Sequence, residues 1–346
     1  MLNATAPTPV LISVCITTYN HEKFLAQALD SVLMQQGDFV LEVLLGEDGS
    51  SDNTAHIVRD YAARYPDTIR AFFHDPHDKL FINGRQTGRK NFLHNLQQAR
   101  GEYIALLDGD DYWMDPHKLQ KQLIILQDNP RLSACCHPAV YVDESDTVQP
   151  GFMGHHDIQN AYKDFSLYEV LRKNPVPTLS VLFRNPRMQE FPALYWQTDM
   201  ADWPTYILTA LCGDIRYVDE KMAAYRVHEG GVWAAFRNNM EKTLLSEMAV
   251  WRILLDEPLL RAQQKYLKHL IQEQHTKLIK TALRVHDYRK AWCYWRAQGK
   301  KNIALAWRIA RKQLRYFLQN KQGAACWLWC RSLFLRTTTP HLSPRR

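Results

Sequence analysis

The sequence predicts an α/β fold: a doubly wound, mostly parallel sheet followed by a C-terminal basic helical region. Three observations lead there. Short β-rich apolar runs alternate with segments of helical periodicity through the first half of the chain, the pattern of strand–helix–strand units. Acidic and polar residues fall just after three of those runs, at the strand ends where open α/β sheets bind ligands. The charge then changes sign. Residues 1–236 hold 20 Lys+Arg and 30 Asp+Glu, a balance of −10, whereas residues 237–346 hold 23 and 6, a balance of +17. Two domains with these boundaries are expected, 1–236 carrying the chemistry and 237–346 forming a basic, Trp-rich helical region.

The elements follow in order. Residues 10–16 are β-branched and apolar and read as the first strand. Asn20 reads as an N-cap, with Leu25, Ala28, Leu29, Val32 and Leu33 at helical spacing after it. Residues 39–45 form a second strand that runs into Gly46-Glu47-Asp48-Gly49. Ser50-Ser51-Asp52 opens a second helix with Ile57, Val58, Tyr61, Ala62 and Tyr65 on one face, closed by Pro66. A third strand covers 69–73, a helix covers 91–100 up to Gly101, and a fourth strand covers 103–107 and ends at Asp108. A helix is expected at 118–127, one buried strand at 132–142, and a loop with a short helix at 143–175. A strand at 178–183, a helix at 199–211 and a strand pair at 215–218 and 222–227 complete the first domain. From about residue 236 the pattern is helical.

Composition excludes several classes. With 46% apolar and 23% charged residues over 346 positions, the chain can bury a large core. Its seven cysteines are odd in number and contain no CxxC pair, so a disulfide framework or zinc site is not expected and reduced thiols in a cytosolic compartment are. Residues 1–12 lack the character of a signal peptide, and no run of 18 apolar residues suggests a spanning helix. Neither GxGxxG nor GxxxxGK[ST] follows a strand, which disfavours hydride-transfer enzymes and P-loop kinases.

Four groups of residues carry potential chemistry. Asp108, Asp110 and Asp111 crowd the end of a buried strand. Such crowding is costly without a cation, and hard oxygen ligands suit magnesium or manganese; an acidic turn capping the next helix is the plainer alternative. Asp48 can accept hydrogen bonds from a base or ribose, while Asp52 suits an Asx turn and helix cap. Asp199 and Asp202 lie beside Trp196 and Trp203. Partial desolvation there raises carboxylate basicity toward that of a general base, and aromatic faces suit a sugar ring; the same spacing also makes an ordinary helix start. Arg226 and His228 alternate at a strand end before Gly230-Gly231, and so point the same way. One can grip phosphate, and the other can ligate a metal or phosphate.

At this point the sequence resembles a known family. Residues 11 to about 230 are similar to family 2 glycosyltransferases of the GT-A fold, of the non-processive bacterial surface-glycan type. The matching stretches are Ser13-Val14-Cys15-Ile16-Thr17-Thr18-Tyr19-Asn20, Glu47-Asp48-Gly49-Ser50-Ser51-Asp52-Asn53-Thr54, Gly88-Arg89-Lys90-Asn91 and Gly101-Glu102-Tyr103-Ile104-Ala105-Leu106-Leu107-Asp108-Gly109-Asp110-Asp111. The resemblance implies a GT-A-like sheet in which Thr18, Tyr19 and Asn20 line the nucleotide pocket and Asp48 contacts the base, usually uracil. It places Lys90 near the phosphates and makes Asp108 and Asp110 the DxD pair, with Asp110 on a divalent Mg or Mn ion. Tyr225-Arg226-Val227-His228 resembles an element near the diphosphate, giving Arg226 as a phosphate contact and His228 as a second metal ligand. Asp202 falls near the catalytic base, and Asp199 stays open beside it. The Gln-x-x-Arg-Trp motif and membrane helices of processive members are missing, so one sugar per encounter is expected.

The implied reaction is inverting transfer of a sugar from a nucleotide diphosphate donor, a UDP-sugar first, to a hydroxyl of a glycan or lipid-linked acceptor. A cytoplasmic setting on the inner face of a membrane is expected, in assembly of a cell-surface glycan. Two rivals are weaker. A sugar-nucleotide pyrophosphorylase would carry a Gly-rich basic loop after the first strand, where this chain has Thr17-Thr18-Tyr19-Asn20-His21-Glu22. A non-catalytic binding module would not need Asp108, Asp110 and Asp202 together. After Asp287 the chain holds 14 Lys or Arg, no acid, and Trp292, Trp295, Trp307, Trp327 and Trp329. Peripheral contact with an anionic membrane is therefore expected; nucleic acid is not, since no recognition motif accompanies the charge. The alternative for this region is a helical subdomain with its tryptophans packed inward.

Overall fold

Nine residues of nearly unbroken apolar and β-branched character, Val10–Thr18, form β1, and the main sheet is laid out on either side of it. The computed structural model describes residues 10–82, 84–154, 161–188, 190–198, 200–228, 239–299 and 303–319. These divide into two compact units. The first takes residues up to 235 with 256–261, and the second takes 236–255 with the remainder.

The first unit holds an eight-stranded sheet. Its order is β11 (Tyr162–Phe165), β13 (Asp214–Val218), β8 (Leu132–Cys136), β12 (Leu182–Arg184), β6 (Tyr103–Asp108), β1, β2 (Phe39–Glu47) and β3 (Ile69–Phe73), numbered along the chain. β1 runs parallel to β2 and β6, β2 to β3, and β13 to β8, while β12 and β11 are antiparallel to their neighbours. The register sets Thr17 opposite both Gly46 and Asp108, and Thr18 opposite Glu47. The carboxyl ends of β1, β2 and β6 thus lie level. That alignment turns three polar strand ends into one site.

Helices cover both faces because β1 alternates. Ile12, Val14 and Ile16 point into the main core with Leu25, Ala28, Leu29 and Val32 of α1 (Leu25–Leu33), Val58 and Tyr61 of α2 (Thr54–Arg64), and Leu119, Leu123 and Leu126 of α4 (Lys118–Asp128). Each such side chain contributes about 1.5–3 kcal/mol on burial. On the opposite face, Leu96 of α3 (Arg89–Gln98) lies beside Ile104 and Phe183. Asn91 and Asn95 of α3 donate to the carbonyls of Gly46 (2.8 Å) and Ile16 (2.9 Å), which fixes the ends of β2 and β1.

Several expected elements differ. The single strand at 132–142 is two strands, β8 and β9 (Ala139–Val142), in different sheets. Pro138 separates them, and a proline cannot donate to a ladder. The strand pair at 215–218 and 222–227 is not a pair. β13 belongs to the main sheet, whereas β14 (Ala223–Arg226) joins β9, β10 (Val148–Met153) and β7 (Tyr112–Trp113) in a four-stranded sheet. Residues 178–183 begin as a 3₁₀ turn, Thr178–Ser180, where the Ser180 hydroxyl donates to the Pro177 carbonyl at 2.6 Å. The loop with a short helix expected at 143–175 holds that helix, α5 (Leu167–Arg172), which opens with a Ser166/Glu169 capping box, and differs in also containing the strands β10 and β11. A short hairpin, β4 (Leu80–Ile82) with β5 (Arg85–Thr87), follows β3. Asn20 is not an N-cap. It sits four residues before the true N-cap, Phe24, with φ +56°.

The second unit contains the helices Met240–Leu254, Gln264–Arg284, Tyr288–Ala297 and Ile303–Gln319. Asp287 caps the third, accepting from the Lys290 amide at 2.9 Å. One core joins Ile279 and Leu283 to Ala291, Trp292, Trp295, Leu305 and Ile309. Trp292 and Trp295 meet edge to face at 5.4 Å, and the Trp292 indole donates to Gln313 at 3.1 Å. The membrane-facing role expected of these two tryptophans is corrected, because both are core residues; Trp327 and Trp329 lie outside the described residues. No helix among the described residues is long and apolar enough to cross a membrane.

Candidate active site

Two loops at the carboxyl ends of β1 and β2 are stitched together by polar side chains. Asn20 accepts from the Ser51 amide (2.9 Å), and the Asn20 amide donates to the Ser50 hydroxyl (2.9 Å). The amides of His21 and Glu22 donate to Thr54 (2.8 Å) and Asp52 (3.1 Å), and Glu22 accepts in return from the Asn53 amide (2.9 Å). Much of the Thr-Tyr-Asn and Glu-Asp-Gly-Ser-Ser-Asp pattern is therefore loop architecture. Asn20, expected in the pocket lining, is a fastener whose left-handed backbone lets its side chain reach the second loop.

The stitched loops present Thr18, Tyr19 and Asp48. Thr18 is 2% exposed, and its hydroxyl is buried without a hydrogen-bond partner. The Asp48 carboxylate lies 3.4 Å from the Lys79 ammonium, which also stands 3.3 Å over the Tyr19 ring centroid. Burial pushes the Asp48 carboxyl above its ordinary range, and the Lys79 charge works against that rise. Lys79 carries no motif, and no sequence signal short of its place after β3 points to it. Lys90, expected near the phosphates, instead reaches the exposed Asp78. Its neighbour Arg89 is the inward residue: 2% exposed, it donates to the Thr198 carbonyl (2.9 Å) and to the Tyr195 carbonyl, tying α3 to the loop ahead of Asp202.

The acidic cluster lies beyond β6. Asp108 accepts from the Thr17 hydroxyl at 2.7 Å. Burial, with repulsion from Asp110, pushes its carboxyl up to about 7. Asp111 is raised as well, by burial and then by both neighbouring aspartates, and it accepts from the Arg226 amide at 2.8 Å. Asp110 also loses solvation, yet the hydrogen bond from His228 and the nearby His21 outweigh that loss and hold it low. Its Oδ2 is 3.0 Å from His228 Nε2 and 3.7 Å from His21 Nε2. Between these residues runs Gly109, where a Cβ would come within 2.7 Å of the Thr18 hydroxyl and 2.9 Å of His21 Nδ1. Both of those atoms are buried without partners. His21 was missed by sequence reasoning, because nothing in its spacing announces that it folds back onto Asp110.

Arg226 corrects another expectation. Its side chain is 1% exposed and fully engaged: Nε donates to the Asp110 carbonyl (2.9 Å), one terminal nitrogen to the Asp143 carbonyl (2.9 Å), and the other to Gln27 (2.6 Å), with Asp146 at 2.8 Å. A guanidinium so committed buttresses the acidic loop from behind rather than gripping phosphate. Strand alternation points Arg226 and His228 the same way but does not say that both meet one residue, Arg226 at the Asp110 carbonyl and His228 at the Asp110 carboxylate.

Asp202 is the first residue of α7 (Asp202–Ala210) and accepts from the Asn174 amide nitrogen at 2.8 Å. Burial pushes its carboxyl upward, and its charge is felt at Asp108. Trp203 is buried, with its indole on the Val170 carbonyl (2.7 Å), so it offers no face to a sugar, whereas Trp196 is 43% exposed. Asp199 lies outside the described residues.

The donor set fits a divalent ion. Asp110 and His228 converge within hydrogen-bonding distance, and a cation there would relieve the repulsion that raises Asp108 and Asp111. Among the described residues no group of three or more His, Cys, Asp or Glu is arranged to hold an ion unaided. One or two carboxylates completed by substrate phosphates and water is the usual arrangement for magnesium, so Asp110 is the residue that would hold such an ion, with the His228 imidazole beside it.

Comparison with known proteins bears on the family and the fold. Residues 13–184 match the description of glycosyl transferase family 2. An uncharacterised protein of Mycobacterium tuberculosis is 34% identical over 226 residues, covering 64% of this chain and 60% of that protein. The chain thus spans about 60% of the length of that relative. An uncharacterised glycosyltransferase of Nostoc is 28% identical over 220 residues, 63% of this chain and 65% of the relative. Among solved structures, residues 1–349 of S. aureus TarS, crystallised with UDP-GlcNAc, superimpose with a TM-score of 0.53 at 18% identity, over 77% of this chain and 72% of that one. That likeness speaks to the fold, which is the GT-A-like α/β arrangement. Residues 13–184 of the chain therefore form a domain that belongs to glycosyl transferase family 2.

Proposed function

We propose that this protein is an inverting glycosyltransferase that moves a sugar from a nucleotide diphosphate donor, a UDP-sugar first, to a hydroxyl of a glycan or lipid-linked acceptor. The observation that carries the reading is the level placing of Asp48 after β2 and of Asp108 and Asp110 at the end of β6, on either side of Thr17 and Thr18 at the end of β1, within a family 2 domain. S. aureus TarS, which shares the fold, was solved with a donor of this class.

The roles follow from position. Asp48, desolvated and held by Lys79, accepts hydrogen bonds from the base, and the exposed Tyr19 ring stands beside the same lysine. Asp110 and His228 hold a magnesium or manganese ion, which when bound neutralises charge on the diphosphate leaving group. Asp108 orders the strand end through Thr17. Asp202 takes the acceptor proton as the acceptor oxygen attacks the anomeric carbon. The bond from that carbon to the diphosphate oxygen breaks on the opposite face, so configuration inverts. A site placed at the inner face of a membrane would meet lipid-linked acceptors. The test is release of nucleoside diphosphate from a panel of nucleotide sugars with manganese. Turnover, or slow donor hydrolysis, with at least one UDP-sugar is expected. No release and no thermal stabilisation by any donor would contradict the reading.

A further inference from the structure

Helix Ile303–Gln319 divides its surface sharply. Leu305, Ala306, Ile309 and Gln313 are buried, the first three in the core with Trp292 and Trp295. The other side exposes Arg308, Arg311, Lys312 and Arg315. At 100° per residue these four fall within one arc, and over their seven-residue rise they span about 10 Å. Along one flank of the arc lie Trp307, 56% exposed, and Leu314, 50% exposed. No acid occurs anywhere in this helix, and among the described residues no ion pair involves the four cations.

We propose that this helix is a docking element for an anionic phospholipid surface, seating its four cations among headgroup phosphates with Trp307 and Leu314 at the headgroup boundary. The inference is independent of the catalytic reading. Charge complementarity points to an anionic partner, and spacing narrows it further. Cations spread along about 10 Å of helix cannot converge on one phosphate, but they match a plane that carries many. The flanking Leu314 favours a membrane over a nucleic acid, since a Trp ring can also stack on bases whereas a Leu cannot. Exposed apolar side chains gain from an acyl boundary, as in helices that lie in the interface plane, and gain nothing from a phosphate backbone. The buried face explains why the element docks without inserting, since its apolar stripe is already committed to a protein core.

Flotation of the full chain tests this. The protein should float with vesicles of phosphatidylcholine containing about a third phosphatidylglycerol, and not with phosphatidylcholine alone. Roughly 0.5 M salt should release it, because the screening length falls to a few ångströms. The combined variant Arg308→Gln, Arg311→Gln, Lys312→Gln and Arg315→Gln should weaken partition roughly 100-fold or more. Trp307→Ser should weaken binding while leaving its salt dependence. Should the combined variant lose its cooperative melt, the single reversals Arg308→Glu and Arg315→Glu, both on the solvent side, each carry the same expectation at smaller size. Equal flotation on neutral and anionic vesicles, or none on either, overturns the proposal. So does retention by the folded variants, displacement of the protein from vesicles by a DNA duplex at equal phosphate concentration, or salt-sensitive self-association that the variants abolish.

Discussion

Two ionisable side chains, Asp202 half-buried and Lys118 fully buried, govern what single substitutions should do. Asp202 works as a base only when ionised, and burial lifts its carboxyl above the ordinary range. The rate kcat/KM should therefore rise with pH as Asp202 loses its proton, with that limb displaced upward from the normal carboxylate position. Asp202→Asn should erase the limb and lower turnover roughly 10²–10⁴-fold while donor affinity, by calorimetry, hardly changes. If Asp199→Asn is the dead variant and Asp202→Asn the active one, the two roles are exchanged. Lys118 is the second case. Fully buried, it donates to Gln122 at 2.9 Å, and burial lowers its ammonium from the usual 10.5 to about 7. Between those values the unfolded chain holds a proton that the folded chain lacks, so stability rises with pH across that window and is lowest below about 7. Lys118→Met removes that dependence. Urea midpoints of the two proteins should diverge by the equivalent of about 1–3 kcal/mol between pH 7 and roughly 9.5, the natural protein gaining relative to the variant. Parallel pH curves would refute the assignment. At this scale the sequence reading singled out Asp48, Asp108 and Asp110 because a carboxylate after a buried strand is costly without a purpose, and Asp202 because it lies beside tryptophans; the first three stand at the ends of β2 and β6 and Asp202 at the start of a helix. It misplaced Arg226, because whether a basic side chain faces solvent or a packed loop depends on residues as far as 116 positions away, Asp110 among them, and Lys90, which turns instead to Asp78 only 12 positions before it. Lys79 and His21 carry no local pattern at all.

The strands and helices around the site answer to simpler rules. The first, second, third and fourth parallel strands were legible because each is a continuous apolar run bounded by polar turns. The second sheet was not. Its strands are short, two to six residues, and are gathered from distant segments, 112–113, 139–142, 148–153 and 223–226. No period can assign such pieces to a sheet, and only Pro138 hinted that 132–142 must break. One junction makes a quantitative prediction. Where α3 turns into β6, a Cβ on Gly101 would stand 2.7 Å from both the Leu11 carbonyl oxygen and the Ser13 amide nitrogen. Both are backbone atoms of β1, held in the centre of the sheet, so neither yields cheaply. The Gly101 amide also donates to the Ser13 hydroxyl (2.8 Å), which in turn donates to Glu42 (2.5 Å). Gly101→Ala should cost about 1–3 kcal/mol of stability, read as a lower denaturant midpoint. An unchanged midpoint would mean that the strand end is looser than its contacts imply.

For the whole molecule, the change of charge sign along the chain separates an acidic unit that holds the site from a basic helical unit. The acids of the first unit are not a diffuse surface property: Asp108, Asp110 and Asp111 fall within one turn, and their mutual repulsion is what a bound cation would relieve. The central claim is that this cluster binds a nucleotide diphosphate through a divalent ion. Calorimetric titration of UDP into the natural protein and into Asp110→Ala, each with and without manganese, tests it most directly, with a melting curve on each to establish folding. The account predicts manganese-dependent UDP binding in the natural protein and its loss in a folded Asp110→Ala. Unchanged UDP affinity in that variant with manganese present would contradict it.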